Sequence, residues 1–127
     1  MKKVIAVVFA VAILSSFWYL RSRTEAHNAQ AQRDEAYQSR LQFFQRDLRL
    51  GTHRSEVQAY LEGKKVPYIS MNSNFAVKIG EDPSREWYCD RWIVYIEFRF
   101  SRLSGQMDPS PFDNLDSISM LRIGQCL

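Results

Sequence analysis

The sequence predicts an α+β fold: an N-terminal transmembrane helix, a helical stalk, then two helices packed on a three- or four-stranded antiparallel sheet. Three observations carry that reading. Residues 4–20 are apolar apart from two serines. Tyr37, Leu41, Phe44 and Leu48, and then Val57, Tyr60 and Leu61, recur at helical spacing. Beyond Gly63 the apolar period falls to two, as on a strand. The 127 residues leave room for one small domain. The chain divides into a membrane anchor over 1–23, a helical stalk over 24–36 and an α+β domain over 37–127.

The anchor comes first. As a helix, "VIAVVFAVAILSSFWYL" rises roughly 25 Å, slightly under the ~30 Å hydrocarbon core. Lys2 and Lys3 precede it, Arg21 and Arg23 follow it, and long cationic side chains snorkel to make up the length. Trp18 and Tyr19 stand where aromatic rings favour the membrane interface. A cleavable signal peptide is the rival reading, and a buried soluble helix is the third. Cleavage needs small residues just past the apolar run, yet that place holds Phe17, Trp18, Tyr19 and Leu20. The first suitable site, Ala29-Gln30-Ala31, lies too far downstream. No cysteine lies near the end of the run, so a bacterial lipoprotein anchor is excluded. The expected form is a retained signal-anchor, with the membrane as partner through residues 4–20.

Charge points the same way. The formal net charge is +3, but four of the 17 Lys and Arg residues flank the apolar run, leaving 13 against 14 Asp and Glu. A nucleic-acid domain needs a basic face to replace phosphate counterions, and this one has no surplus. The flanking cations read as membrane flanks. They do not set the orientation, because both sides carry them.

The stalk, "TEAHNAQAQRDEA", consists of good helix formers with no apolar stripe to bury. From Tyr37 the stripe begins, with Gln38, Arg40, Gln45 and Arg46 largely off it. Extended backward it meets Asp34 and Gln30, so a sustained coiled-coil heptad fails and packing on the domain's own core is expected. Gly51 is placed to close this helix and Thr52 to cap the next, which Gly63 ends. Strands follow. "VPYISM" and "FAVKI" flank a hairpin-like turn at residues 72–74. "WIVYIEFRF" sets Val94, Ile96, Phe98 and Phe100 on one face and Tyr95, Glu97 and Arg99 on the other. Residues 104–114, with two prolines, read as a loop, and "LDSISMLRIG" returns as the last strand.

The stretch "LRLGTHRSEVQAYL", residues 48–61, resembles the Gly-Thr-x-x-x-x-Val-x-x-x-Leu helix corner of the SmpA/OmlA (BamE-like) small envelope domains. Gly51, Thr52, Val57 and Leu61 carry the match, and all four are structural positions. The resemblance implies helices followed by an antiparallel sheet, and a role in envelope assembly through protein partners. Two departures stand beside it: the lipoprotein cysteine is missing, and "EGKKVPY" replaces the usual Leu-Gly-x-Pro.

Chemistry has few candidates. A thiol-dependent enzyme would use Cys89 with His53 and Asp90, but no local signature brings them together. Cys89 and Cys126 lack the companions a zinc site needs. His27 falls on the stalk, Lys64-Lys65 is a short basic pair at a helix end, and no Gly-rich phosphate loop occurs. We expect no catalytic residues, no cofactor, no metal and no small-molecule substrate. Trp87, Tyr88 and Trp92 are either a cap on the sheet or an exposed aromatic patch for a protein partner.

The two cysteines decide the compartment. Cys89 enters the long strand and Cys126 follows the final one, so in an antiparallel pair they meet. A Cys89–Cys126 disulfide requires an oxidising compartment, placing the domain on the periplasmic or outer side of the inner membrane. Two reduced, buried cysteines on a cytosol-facing domain are the alternative. The leading function is a non-enzymatic, membrane-anchored domain acting in protein–protein interaction or envelope assembly, against a thiol-dependent enzyme or redox protein using Cys89.

Overall fold

The computed structural model describes residues 2–83, 88–102 and 108–126, with side chains in the first helix from Ile13 onward. Its elements are α1 (Lys2–Asp47), α2 (Arg54–Gly63), β1 (Ile69–Ser70), β2 (Asn74–Pro83), β3 (Cys89–Ser101) and β4 (Asn114–Cys126). The strands pair antiparallel in the order β1-β2-β3-β4, which gives the α+β class with a four-stranded sheet. The chain separates into two compact units, Met1–Ala36 and Tyr37–Leu127.

The first unit is helical. Arg21 pairs with Glu25 one turn on at 3.0 Å, and the Thr24 hydroxyl donates to the Arg21 carbonyl. Leu14, Phe17 and Trp18 are exposed. Among the described residues no helix is long and apolar enough to cross a membrane. The expected span at residues 4–20 lies partly outside the described side chains.

The second unit is built on β3. Val94, Ile96 and Phe98 are fully buried, and each such side chain is worth about 1.5–3 kcal/mol in water removed from apolar surface. Register sets their neighbours: Phe98 lies between Phe75 and Ile118, Ile96 between Val77 and Met120. The helices cover this face with the stripe read in the sequence. Tyr37, Phe44, Leu48, Val57 and Leu61 are buried, and Phe44 meets Phe98 edge to face at 5.3 Å. Near the end of β2, Gly80 makes room for Tyr37, whose ring would lie 2.5 Å from any Cβ there. The Tyr37 hydroxyl donates to Asp82 at 3.1 Å.

The helix corner differs from expectation in detail. Gly51 does adopt a left-handed φ of +88°, but α1 has already ended at Asp47. Thr52 does not cap α2. His53 is the N-cap, with the Glu56 carboxylate accepting from its backbone N–H at 3.1 Å. The Thr52 hydroxyl instead donates to the Arg49 carbonyl at 2.7 Å. The backbones of Gly51 and Thr52 serve the sheet: the Gly51 N–H donates to the Leu115 carbonyl, and the Leu115 N–H to the Thr52 carbonyl, each at 2.8 Å.

At the other end of α2 the left-handed residue is Lys65, with φ 55°, and not Gly63. Its N–H donates to the Glu62 carbonyl and that of Val66 to the Leu61 carbonyl, both at 2.9 Å, closing the helix. A side chain in that conformation costs about 1 kcal/mol relative to glycine. The expected strand at 66–71 shrinks to β1, because Pro67 has no N–H to donate and Val66 and Tyr68 turn onto the core.

Arg54, a charged residue in the first turn of α2, is buried. Its guanidinium lies over the Phe75 ring at 4.6 Å and the Phe100 ring at 5.1 Å. It donates to the Asn72 carbonyl at 3.1 Å and the Met71 carbonyl at 2.8 Å. Glu97 is a second surprise: it is buried on the sheet's other face, where Asn74 and Arg99 donate to it.

Two outcomes follow. Arg54→Ala lowers stability by roughly 3 kcal/mol, because two carbonyls lose their donor and two rings their cation. Arg54→Lys recovers less than half, since one ammonium cannot lie flat between rings and reach both oxygens; urea unfolding measures both. The second concerns Tyr60, whose hydroxyl donates to Asp47 at 2.8 Å. Burial first, then this bond, pushes the phenol up to about 12, and the bond holds the Asp47 carboxyl below its usual range. A phenol harder to ionise when folded leaves stability intact below the ordinary value of 10.0 and removes it as pH climbs toward about 12. Alkaline melting curves of Tyr60→Phe therefore fall less steeply over that window than those of the parent chain.

Candidate functional site

The Cys89 and Cys126 positions are opposite one another in the β3–β4 ladder, and a disulfide joins them across a separation of 37 residues. Cys89 is buried. Neither sulfur is a free thiol. His53, the base the thiol reading needs, stands at the far end of β4, bridged to Asn114. Asn114 and Cys126 are twelve positions apart along β4, roughly 40 Å. The structure does not bring His53 to Cys89. His53 instead sets its ring edge-on to Phe112, with Nδ1 3.2 Å from the Phe112 carbonyl. Among the described residues no group of three or more His, Cys, Asp or Glu could hold a metal.

The aromatic trio divides. Trp87 lies outside the described residues. Tyr88 is 45% exposed, in the turn before β3. Trp92 is half-buried on the helix-side face, two residues before Val94. It pairs with Gly124, and its ring lies so near that a Cβ at Gly124 would come within 3.2 Å of it. Trp92 thus supplies the surface that the glycine lacks, as an aromatic ring does for a strand glycine.

Beside these residues runs β4, the last strand of the sheet. The beginning of its outer edge is covered. Gly51 and Thr52 pair with Leu115, and the Gln45 side-chain amide donates to the Ile118 carbonyl at 3.0 Å. The Ile118 carbonyl therefore faces outward, and by alternation so do the main-chain N–H and C=O groups of Met120, Arg122 and Gly124. Among the described residues no strand pairs with this half of the edge.

Two side chains of the same half, Leu121 and Ile123, are apolar and exposed between the polar Ser119 and Gln125. Leu121 is 37% and Ile123 45% exposed. They lie opposite Tyr95 and Ile93, both half-buried, on the face the helices do not cover. Arg91 and Lys78 flank this patch, each paired with Glu81. An edge with outward main-chain groups and apolar side chains on one face is the arrangement by which a sheet accepts another strand. The sequence carried a signal for it: Leu121 and Ile123 share the parity of Ser119 and Gln125, so apolar residues stand on the strand's polar side. The sequence reading had placed the interest one strand away, in the aromatic trio.

Reducing the disulfide frees the unfolded chain of a 37-residue constraint, worth roughly 3.5–4 kcal/mol in the entropic treatment. Thermal melts with and without reductant, and with Cys126→Ser, should show the same loss for both perturbations and no further loss when they are combined. No family model, curated protein or solved structure matches the chain.

Proposed function

We propose that the chain is a membrane-anchored, non-enzymatic envelope domain that acts by binding another protein, with the outer half of β4 as its docking edge. Residues 4–20 hold it in the inner membrane, and the domain faces the periplasm or cell exterior. The observation that carries the reading is the uncovered edge at residues 119–125, with Leu121 and Ile123 exposed beside it. An edge with which no strand pairs, carrying exposed apolar side chains on one face, is a liability that proteins keep when a partner uses it.

The compartment is supported by the Cys89–Cys126 bond, since such bonds persist where the surroundings are oxidising. The anchor is supported by the Lys- and Arg-flanked apolar run and its Trp18-Tyr19 border. The helix-corner resemblance to the SmpA/OmlA (BamE-like) domains favours a part in envelope assembly. The thiol-enzyme reading finds less support, because Cys89 is buried in a disulfide and His53 lies at the other end of β4.

The test uses the full-length chain in its native membrane, with a photo-crosslinking amino acid at Leu121, Ile123 or the exposed helix position Gln58. Adducts are expected at the two strand positions and not at Gln58. Met120→Pro removes an outward N–H while leaving the ladder to β3, and should abolish the adduct at Leu121. Equal labelling at all three positions, or none, overturns the docking edge. Carbonate washing should leave the chain in the membrane fraction, and recovery of a mature N-terminus near Gln30 or Gln32 would refute the retained anchor.

A further inference from the structure

We propose a second docking site: the groove between α1, the α2–β1 connection and β2 takes an acidic peptide segment bearing a large apolar side chain. The cavity measures about 520 Å³, within the range of sites that hold several side chains or a small ligand. Phe43, Val66 and Pro67 form apolar walls, and Arg40 and Lys65 add two cations; Lys78 also lines it, but its ammonium pairs with Glu81. Among the described residues no carboxylate lines it.

Three independent features point to an occupant. Phe43 is 41% exposed although the core lies one residue away at Phe44. Two further cations lean on its ring, Arg46 at 5.5 Å and Lys64 at 6.0 Å. The cationic surroundings and the bare aromatic surface together match a ligand with carboxylates around an apolar group.

The second feature is Lys65. It holds a left-handed φ of 55° at a helix end where glycine would be free of strain. Strain of this kind is kept where a side chain has work at that place, and the Lys65 side chain lines the groove.

The third is main-chain. β1 covers only Phe75 and Ala76 of β2. Farther along, no strand of the described residues pairs with β2, and in the groove Arg40 holds the Ile79 carbonyl at 3.0 Å. A peptide lying there would have backbone as well as side-chain partners, which favours a peptide over an acyl chain.

The test uses the full-length chain in neutral detergent. The probe is a fluorescein-labelled peptide, Glu-Leu-Asp-Phe-Glu-Leu-Asp, with a control in which every acidic residue is lysine. Saturable anisotropy is expected for the acidic probe alone, weakening at least fivefold between about 50 and about 300 mM salt. Phe43→Ala and Lys65→Gly should each weaken binding about fivefold, roughly 1 kcal/mol. Lys65→Gly should at the same time raise Tm by releasing the strain; a lysine with only a structural part would change Tm alone. Equal affinity of parent and Lys65→Gly, or equal binding of the lysine control, overturns the proposal. So does displacement of the probe by a short-chain phosphatidylglycerol that binds more tightly, which would give the groove to a lipid.

Discussion

One buried cation holds the corner of this domain together. Arg54 opens α2, lies flat against Phe75 of β2 and Phe100 of β3, and donates to the carbonyls of the turn between β1 and β2. Its own N–H donates to the Asp113 carbonyl just before β4. Three strands and a helix are therefore registered to one side chain. A charge in the core is costly to strip of water, and only a planar group with several donors offsets that cost here. At the β1–β2 turn the guanidinium adds to two backbone bonds, from the Met71 N–H to the Asn74 carbonyl and from the Phe100 N–H to the Ser73 carbonyl.

The sheet poses a second constraint, since a four-stranded sheet has two edges. On the β2 side the cover comes from α1 side chains: Arg40 reaches Ile79, and the Tyr37 hydroxyl lies 3.4 Å from the Glu81 carbonyl. On the β4 side it comes from backbone, at Gly51 and Thr52, and then from Gln45. Both covers are partial. The two proposed docking places are where each runs out.

Much of the frame was legible in the residues. The alternation through "WIVYIEFRF" defined β3 because a central strand with one buried face leaves that period in its apolar residues. The Tyr37-Leu41-Phe44-Leu48 stripe was legible for the same reason, and the meeting of Cys89 with Cys126 followed from antiparallel neighbours. The misses share a different cause. Gly63 does end α2, as its residue type indicates, but Thr52 yields the N-cap to His53, because the Gly51 N–H and the Thr52 carbonyl are bound to Leu115. The burial of Arg54 and Glu97 was not legible: Glu97 stood only on the other face of β3, and no pattern singled out Arg54. What buries them is a partner distant in sequence, Phe75 and Phe100 for one and Asn74 for the other. No local pattern encodes such a partner. The exposed parity of Leu121 and Ile123 was visible in the sequence, but its meaning depends on β4 being an edge.

The bond between Cys89 and Cys126 also changes what unfolding means for this chain. Peptide runs from the end of β3 to the start of β4, and the disulfide closes the opposite end of the ladder. The two longest strands are thus parts of one covalent ring. When the helices and β2 detach, the ring persists and its strands stay close, so the denatured ensemble retains local order that an open chain would lose. Amide hydrogens of β3 and β4 should be the last to exchange, and those of the short β1 among the first.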